Sequence, residues 1–253
     1  MKFCVLASGS KGNCTYIETK ENRVLIDIGI ASIHIERKLQ EIGVDPKTID
    51  SIFITHAHTD HTSGLAVFNK KYKPNIYITE KMAKEANIKT GNLIYIDDNI
   101  NINDLNIIPI KTSHDVDDSN GYIFENCESS LVYITDTGYV NEKYHPILQN
   151  RNAYIFESNH DIERLMNNPK YPHHLKIRIL SDKGHLSNKD CAYYLCNFIG
   201  DNTKVVVLAH LSEENNTPAL ALAALEEGLE KNDIDFSHIE IASQKESSEF
   251  FEI

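Results

Sequence analysis

No stretch of this 253-residue chain approaches the roughly eighteen consecutive apolar residues that a membrane-crossing helix requires. The apolar start Phe3-Cys4-Val5-Leu6 breaks at Ser8-Gly9-Ser10-Lys11-Gly12-Asn13, far too early for a secretory signal, so the expected location is the cytoplasm. Disulfide architecture is missing as well. The five cysteines, Cys4, Cys14, Cys127, Cys191 and Cys196, are odd in number and scattered, with no CxxC pair, which excludes a cysteine zinc site and points to reduced thiols. Positive charge is scarce: 25 Lys and Arg stand against 37 Asp and Glu, a formal net charge of −12. That balance argues against tight nonspecific binding of long duplex DNA, which leans on clustered basic side chains. It leaves phosphodiester chemistry open, because divalent ions bring their own positive field. Linkers, low-complexity tracts and coiled-coil heptads are absent too, and the length suits a large core.

What the chain does have is concentrated in Ser51 to Gly64, SIFITHAHTDHTSG. The apolar strand Ile52-Phe53-Ile54 runs out at Thr55 and is followed by His56, His58, Asp60 and His61, four potential metal ligands within six positions. Imidazoles and a carboxylate suit Zn, Mn or Fe, and burying such a cluster without a metal carries a large desolvation cost. Alternation along an extended chain sets His56 and His58 on one side, where both can meet one ion. Asp60 and His61 follow after the chain has turned and can serve a second ion.

The same arrangement recurs. Val24-Leu25-Ile26 ends in Asp27, the strand from Asn106 to Ile110 is followed by His114, and Leu131 to Thr135 delivers Asp136. Ala153 to Phe156 ends in Glu157-Ser158-Asn159-His160-Asp161, and Lys204 to Ala209 ends in His210. Polar residues repeatedly placed just beyond strand ends argue for one site on the edge of a sheet. Asp27 reads either as an outer partner of a ligating histidine or as a turn cap. The loop Ser8 to Asn13 reads either as a tight turn or as a nest of backbone N–H groups for a phosphate. His185, beside Gly184, reads by itself as a surface or capping residue. Five further histidines, His34, His145, His173, His174 and His238, are read as non-ligands.

Elsewhere the pattern predicts strands over Lys2 to Leu6, Cys14 to Thr19, Arg23 to Asp27, Asn75 to Ile78, Asn92 to Ile96, Tyr122 to Glu125, His238 to Ala242 and Glu249 to Ile253. Helices are expected over Ser32 to Ile42, Thr62 to Lys70, Glu80 to Ile88, Asn141 to Gln149 and from Ile162, the last cut by Pro169 and Pro172. Ser187 with Asp190 three positions on predicts a capping box, and Thr217-Pro218 starts a helix to Leu229. Composition alone says only mixed α and β.

HAHTDH resembles the HxHxDH signature of the metallo-β-lactamase superfamily. ASGSKGN from Ala7, ESNHD from Glu157, GHLSN from Gly184 and AHLSEENN from Ala209 together resemble the YycJ/WalJ branch, over nearly the whole chain. The resemblance implies an α+β fold, the αββα sandwich of two mixed β-sheets flanked by helices, as a single domain over residues 1–253. Only 73 residues separate Asp136 from His210, too few for the β-CASP insertion of related nucleases. It further implies two divalent ions, Zn²⁺, Mn²⁺ or Fe²⁺. His56, His58 and His114 would hold one, Asp60, His61 and His210 the other, and Asp136 would bridge them. Asp27, Glu157 and His160 would support ligands from outside. Asp60 would orient the attacking water, His185 would meet the phosphate, and Ser10, Asn13, Asn159, Ser187 and Asn188 would contact substrate. The activity implied is 5′ to 3′ exonucleolytic hydrolysis of single-stranded or end-exposed DNA. Hydrolysis of cyclic or short nucleotides, and a non-catalytic metal-binding role in cell-wall signalling, are the alternatives.

Overall fold

Leu131-Val132-Tyr133-Ile134 and Val205-Val206-Val207-Leu208 carry apolar side chains without alternation because their strands are covered on both faces. The structure, a computed structural model, describes residues 1–253. Strands β1 (Lys2–Ala7), β2 (Cys14–Glu18), β3 (Arg23–Ile26), β4 (Ser51–Phe53), β5 (Asn75–Ile78) and β6 (Leu93–Tyr95) form one sheet. The remaining strands of the chain up to Ile241 form the other: β7 (Ile100–Ile102), β8 (Leu105–Lys111), β9 (Asn120–Glu125), β10 (Ser130–Ile134), β11 (Ala153–Glu157), β12 (Val205–Ala209) and β13 (Ile239–Ile241). The closing strand β14 (Phe251–Glu252) returns to the first sheet and pairs antiparallel with β1. Each sheet has seven strands and is mixed, with β3 to β6 parallel in one and β10 to β13 parallel in the other. This is the expected sandwich of two mixed sheets.

Between the sheets lies an aromatic and aliphatic core. Phe53 stacks on Tyr77 with ring centroids 4.5 Å apart and meets Phe124 edge-on at 5.3 Å, bringing the two sheets together. Helices α1 (Ser32–Glu41), α2 (Thr59–Thr62), α3 (Leu65–Tyr72) and α4 (Glu80–Glu85) belong to the first half of the chain. Of these, α1, α3 and α4 cover the outer face of the first sheet through Ile35, Leu39, Phe68 and Met82. The second half carries α5 (His145–Leu148), α6 (Ile162–Asn167), α7 (His173–Ile179), α8 (Asn188–Phe198) and α9 (Pro218–Lys231). Leu195, Phe198, Leu225 and Leu229 of α8 and α9 cover the outer face of the second sheet. None of the helices is long and apolar enough to cross a membrane.

Two expected helices change and two elements are unforeseen. The helix expected over Thr62 to Lys70 is divided into α2 and α3 at Gly64, whose backbone is pressed against Ile30: a Cβ there would lie 2.3 Å from the Ile30 oxygen. Pro146 restricts the segment Asn141 to Gln149 to a 3₁₀ turn and the single turn α5. Helix α7 was not anticipated, because Pro172 reads as a breaker yet stands at the N-cap, where proline's fixed φ costs nothing. Strand β7, which pairs with the expected strand over Asn106 to Ile110 through a turn with Asn103 at φ 49, is a further element the pattern does not predict. The capping box at Ser187 and Asp190 and the Thr217 cap form as expected.

Candidate metal centre

The carboxyl ends of the parallel strands in both sheets meet at one rim of the sandwich, where side chains escape the ladder and can converge. Asp27 follows β3, His56 and His58 follow β4, Asp136 follows β10, Glu157 ends β11 and His210 follows β12. Asp27, Asp136 and His210 all adopt left-handed backbone conformations, with φ of 58, 55 and 55. That turn swings each side chain out of the strand direction and into the rim, and it is an uncommon conformation for residues other than glycine.

Four donor groups interlock there. The first contains His56, His58 and His114, the second Asp60, His61 and His210, the third His56, His61 and Asp136, and the fourth Asp136, Glu157, His185 and His210, with ligand atoms within 4.8 Å of one another in each. Asp136 occupies the middle. Its Oδ2 lies 3.3 Å from His61 Nε2, and its Oδ1 lies 3.5 Å from His210 Nε2 and 3.9 Å from His114 Nε2. Asp60 Oδ2 lies 3.6 Å from His61 Nε2 and 3.9 Å from His210 Nε2. Asp136 Oδ2 and His210 Nε2 are buried without any hydrogen-bond partner. Orphaned buried atoms of this kind are costly, and here they face one another across a set of nitrogen and oxygen donors. The residues therefore fit one or two divalent cations.

A second ring of groups aims the imidazoles. Asp27 Oδ2 accepts a hydrogen bond from His61 Nδ1 at 2.7 Å, and Asp27 Oδ1 accepts from Thr55 N at 2.9 Å. Glu157 Oε1 receives His210 Nδ1 at 2.9 Å and His185 Nδ1 at 2.8 Å, while its Oε2 accepts from Thr137 N and Leu186 N. His114 Nδ1 donates to the Gly184 carbonyl at 3.2 Å. With each Nδ1 committed outward, Nε2 of His61, His114 and His210 points into the cluster, the tautomer that metal ligation needs.

The charges are strongly coupled. Burial would raise Asp136, but His210 and His61 dominate and hold its carboxyl well below the usual range. Burial likewise opposes the charge on His61 and His210, yet Asp27 and Asp136 lift His61 well above its ordinary value, and Asp136, Asp60 and Glu157 lift His210 to about 10. Glu157 falls to about 2, burial being outweighed by His185 and His210. His56 is pushed well below its usual value, chiefly by burial. At pH 7 the metal-free site thus holds protons on His61 and His210 that a bound cation must displace. Calorimetric titration in buffers of differing ionisation enthalpy should show release of about two protons near pH 7, and affinity that rises with pH. Binding without proton release would contradict this charge assignment.

Close backbone packing holds the cluster loop. A Cβ on Gly29 would fall 1.6 Å from the Asp60 carbonyl, and Asn13 N donates to that same carbonyl at 2.8 Å. Gly29→Ala is therefore expected to displace Asp60 and His61 and to lower metal content together with the melting temperature. Wild-type values for both would refute the constraint.

Several expected contact residues turn out to be internal supports. Asn13 is fully buried: its Oδ1 accepts from Gly9 N, and its amide reaches the Gly9 carbonyl and His61 Nε2. Asn159 donates to the His210 carbonyl at 2.9 Å, Ser187 caps α8, and Asn188 exchanges hydrogen bonds with Ser158 and Asn216. Asn13, Ser187 and Asn188, buried and bonded within the protein, have their side-chain groups taken up there, whereas Asn159 keeps its Oδ1 unpaired and Ser10 is exposed. His160 also departs from expectation. It is buried with neither ring nitrogen hydrogen-bonded, so it supports no ligand, and burial lowers it to about 4.

Thr55, Thr137, Asp115 and Arg178 were not anticipated. Thr55 Oγ bonds Asp27 and lies 3.1 Å from His56 Nδ1, and Asp115 reaches His114 Nε2 at 3.2 Å while pairing with Arg178 at 3.4 Å. Asp115 had a signal, its place directly after His114; Arg178 lies on the unforeseen α7.

The first part of the chain, residues 7–89, matches the family model of the metallo-beta-lactamase superfamily. Over 238 residues, 91% of this chain and 90% of that protein, the sequence is 36% identical to exodeoxyribonuclease YycJ of Bacillus anthracis. The chain belongs to the metallo-β-lactamase superfamily, in its YycJ/WalJ branch. It is 38% identical to exodeoxyribonuclease WalJ of Streptococcus pneumoniae over 229 residues, covering 87% of this chain and 85% of that one. Among solved structures, Zn²⁺-bound PqqB from Methylobacterium extorquens superposes with a TM-score of 0.73 at 13% identity, covering 98% of this chain and all of that one, a likeness of fold. YhfI from Bacillus subtilis gives 0.71 at 14% identity, over 98% and 99% of the two chains. A superfamily sandwich, a donor cluster at its rim and these relatives make the chain a metal-dependent hydrolase. A purely non-catalytic role is set aside accordingly.

Proposed function

We propose that the chain is a phosphodiesterase that degrades DNA from the 5′ end, using two divalent ions. The observation that carries this is the 36 to 38% identity, over about nine-tenths of the chain, to proteins described as exodeoxyribonucleases. In this reading His56, His58 and His114 would hold one ion and Asp60, His61 and His210 the other, with Asp136 available to both. Zn²⁺, Mn²⁺ and Fe²⁺ all suit the nitrogen and oxygen set. Two such ions supply Lewis acidity toward a phosphoryl oxygen and a lowered pKa for water.

The chain's own groups do the rest. Asp60 stays ionised, because His210 and His61 outweigh its burial, and with a quarter of its side chain exposed it can accept a proton from an entering water. His185 is about one-fifth exposed and gives its Nδ1 to Glu157, leaving Nε2 toward solvent. It is placed to donate to a phosphoryl or leaving oxygen, as a general acid does. Buried His61, Asp136 and His210 form the floor, while His58, Asp60, Asp115 and His185 line the open side from which a substrate enters. We read the chain as one domain, since β11, α6, α7, α8 and β12 already fill the segment between Asp136 and His210.

The net charge of −12 favours a second reading, hydrolysis of cyclic or short nucleotides. One assay separates the two. Metal-stripped protein is given Mn²⁺ or Zn²⁺ and presented with a 5′-phosphorylated, 3′-labelled single-stranded DNA, bis-p-nitrophenyl phosphate and a cyclic nucleotide. Stepwise shortening from the 5′ end is the expected result. Turnover of the small diesters alone would overturn the exonuclease reading.

A further inference from the structure

Beside the metal centre, a pocket opens against α1 whose lining runs counter to the charge of the chain. The cavity, about 290 Å³, is bounded by Lys11, Arg37, Lys38 and Lys245, with His34 and Gln244 beside them and Glu213 the one carboxylate. Four cations line it against one carboxylate, and although Arg37 also pairs with Glu41 at 3.4 Å on exposed α1, this is a local reversal of sign in a chain of net charge −12. Lys38 makes it more than a chance surface grouping. It is 5% exposed, and its ammonium is held by the Lys245 carbonyl at 2.8 Å rather than by a carboxylate. A buried ammonium with no carboxylate partner leaves positive potential for a ligand.

The loop from Ser8 to Asn13 forms the wall between this pocket and the metal centre. On the pocket side, Lys11 N donates to Gln244 Oε1 at 2.8 Å and Gln244 Nε2 donates to the Gly12 carbonyl at 2.9 Å. On the other side, Asn13 N holds the Asp60 carbonyl at 2.8 Å, and Asn13 Nδ2 lies 3.0 Å from His61 Nε2. The basic pocket and the reacting centre are thus one loop apart. Across its mouth, Lys11 pairs with Glu213 at 2.5 Å, but both side chains are exposed, 69% and 43%. An exposed pair of this kind is worth little and opens readily.

We propose that this pocket, Lys11, Arg37, Lys38 and Lys245, is a backbone-phosphate subsite that grips the polynucleotide strand next to the bond being cleaved. The inference rests on the phosphodiesterase reading and deepens it, assigning a strand rather than a small nucleotide as substrate. Glu213 acts as the stand-in anion, releasing Lys11 when a phosphate enters. The fold sets Lys11 from the Ser8 to Asn13 loop beside Arg37 and Lys38 of α1 and Lys245 of the closing segment, whereas Lys111 near the cluster is tied to Asp118 at 2.6 Å.

The test is fluorescence anisotropy on metal-loaded protein, using a phosphorothioate-linked oligothymidylate that resists cleavage. Wild type is compared with Arg37→Glu/Lys245→Glu and, as a control with the same charge change at exposed positions elsewhere, Lys20→Glu/Lys231→Glu. The pocket variant is expected to bind on the order of tenfold or more weakly, and its salt slope should fall by about 1.4, two phosphate contacts at about 0.7 each. Glu213→Gln should bind more tightly than wild type. Equal losses in the pocket and control variants, or no binding by wild type, would overturn the subsite. Wild-type turnover of bis-p-nitrophenyl phosphate is measured in parallel: turnover without a pocket effect removes only the subsite, and a pocket effect without turnover of any diester removes only the functional reading.

Discussion

Asp136→Ala should abolish turnover, by on the order of 10³-fold or more, and leave a protein that no longer retains a full complement of metal. The carboxylate sits among His61, His114 and His210, and one of its oxygens is buried with no other partner. Asp60 also approaches His61 and His210 but is partly exposed and has no contact with His114, so it does not replace a carboxylate set among all three imidazoles. A second consequence follows in metal-free protein. His61 and His210 are both raised by Asp136, and their rings are 6.0 Å apart, so deleting the carboxylate leaves two buried imidazoles competing for protonation without their shared counter-charge. Breaking a buried ionic group in this way costs about 3–5 kcal/mol. The pH dependence has a definite sign. A histidine raised to about 10 in the folded state contributes stability that is fully present below its unfolded value near 6.5 and fades as pH climbs toward 10. The stability gap between wild type and Asp136→Ala, read by urea unfolding with chelator present, should therefore be widest near pH 6 and narrow near pH 9.5. A variant with full metal content and near-normal turnover would show that Asp136 is not shared between the two groups of ligands.

Glu157→Gln is expected to lower metal affinity by about 10- to 100-fold and to slow turnover at least as much as His185→Ala does. Glu157 is fully buried and divides one oxygen between His210, which faces the cluster, and His185, which faces solvent. Glutamine keeps the shape but not the charge that draws the Nδ1 proton of both rings. His185→Ala, by contrast, should retain its metal and lose roughly 10²-fold in rate, the usual scale for a lost general acid. The double variant should lose less than the product of the two single losses, since both act through one contact. Metal content measured beside the rate gives the decision. Loss of metal in His185→Ala would make His185 a ligand, and full metal with full rate in Glu157→Gln would remove the coupling altogether. Glu157 also gives an acid limb. Its folded value of about 2 lies below the unfolded value near 4.5, so its contribution is present above pH 4.5 and disappears as pH falls toward 2.

Much of the cluster was legible because its residues stand in short runs. His56, His58, Asp60 and His61 are contiguous enough for the strand-to-turn transition at Thr55 to imply convergence, and Asp136 and His210 each end an unbroken apolar strand. The continuous apolar runs themselves reported strands buried on both faces, which is a local property of composition. Capping residues such as Ser187 and Thr217 were readable for the same reason, since a cap acts over three or four residues.

The failures are equally physical. Asn13, Ser187 and Asn188 read as available because a polar residue in a loop shows nothing of its burial; only the packed fold consumes their hydrogen bonds within the protein. His160 reads as a support because it neighbours Glu157 in sequence, yet neither of its ring nitrogens makes a hydrogen bond. Arg178 and the basic pocket beside α1 depend on α7 forming and on the closing segment returning to the first sheet, contacts between residues far apart in the chain. The sequence by itself determined the donor types, the strand ends that present them and the caps that bound the helices, all set by short-range backbone chemistry. Tertiary structure alone decided which polar groups are orphaned, which imidazoles share Glu157, and where positive charge survives on an acidic surface, because each depends on long-range packing and the loss of water.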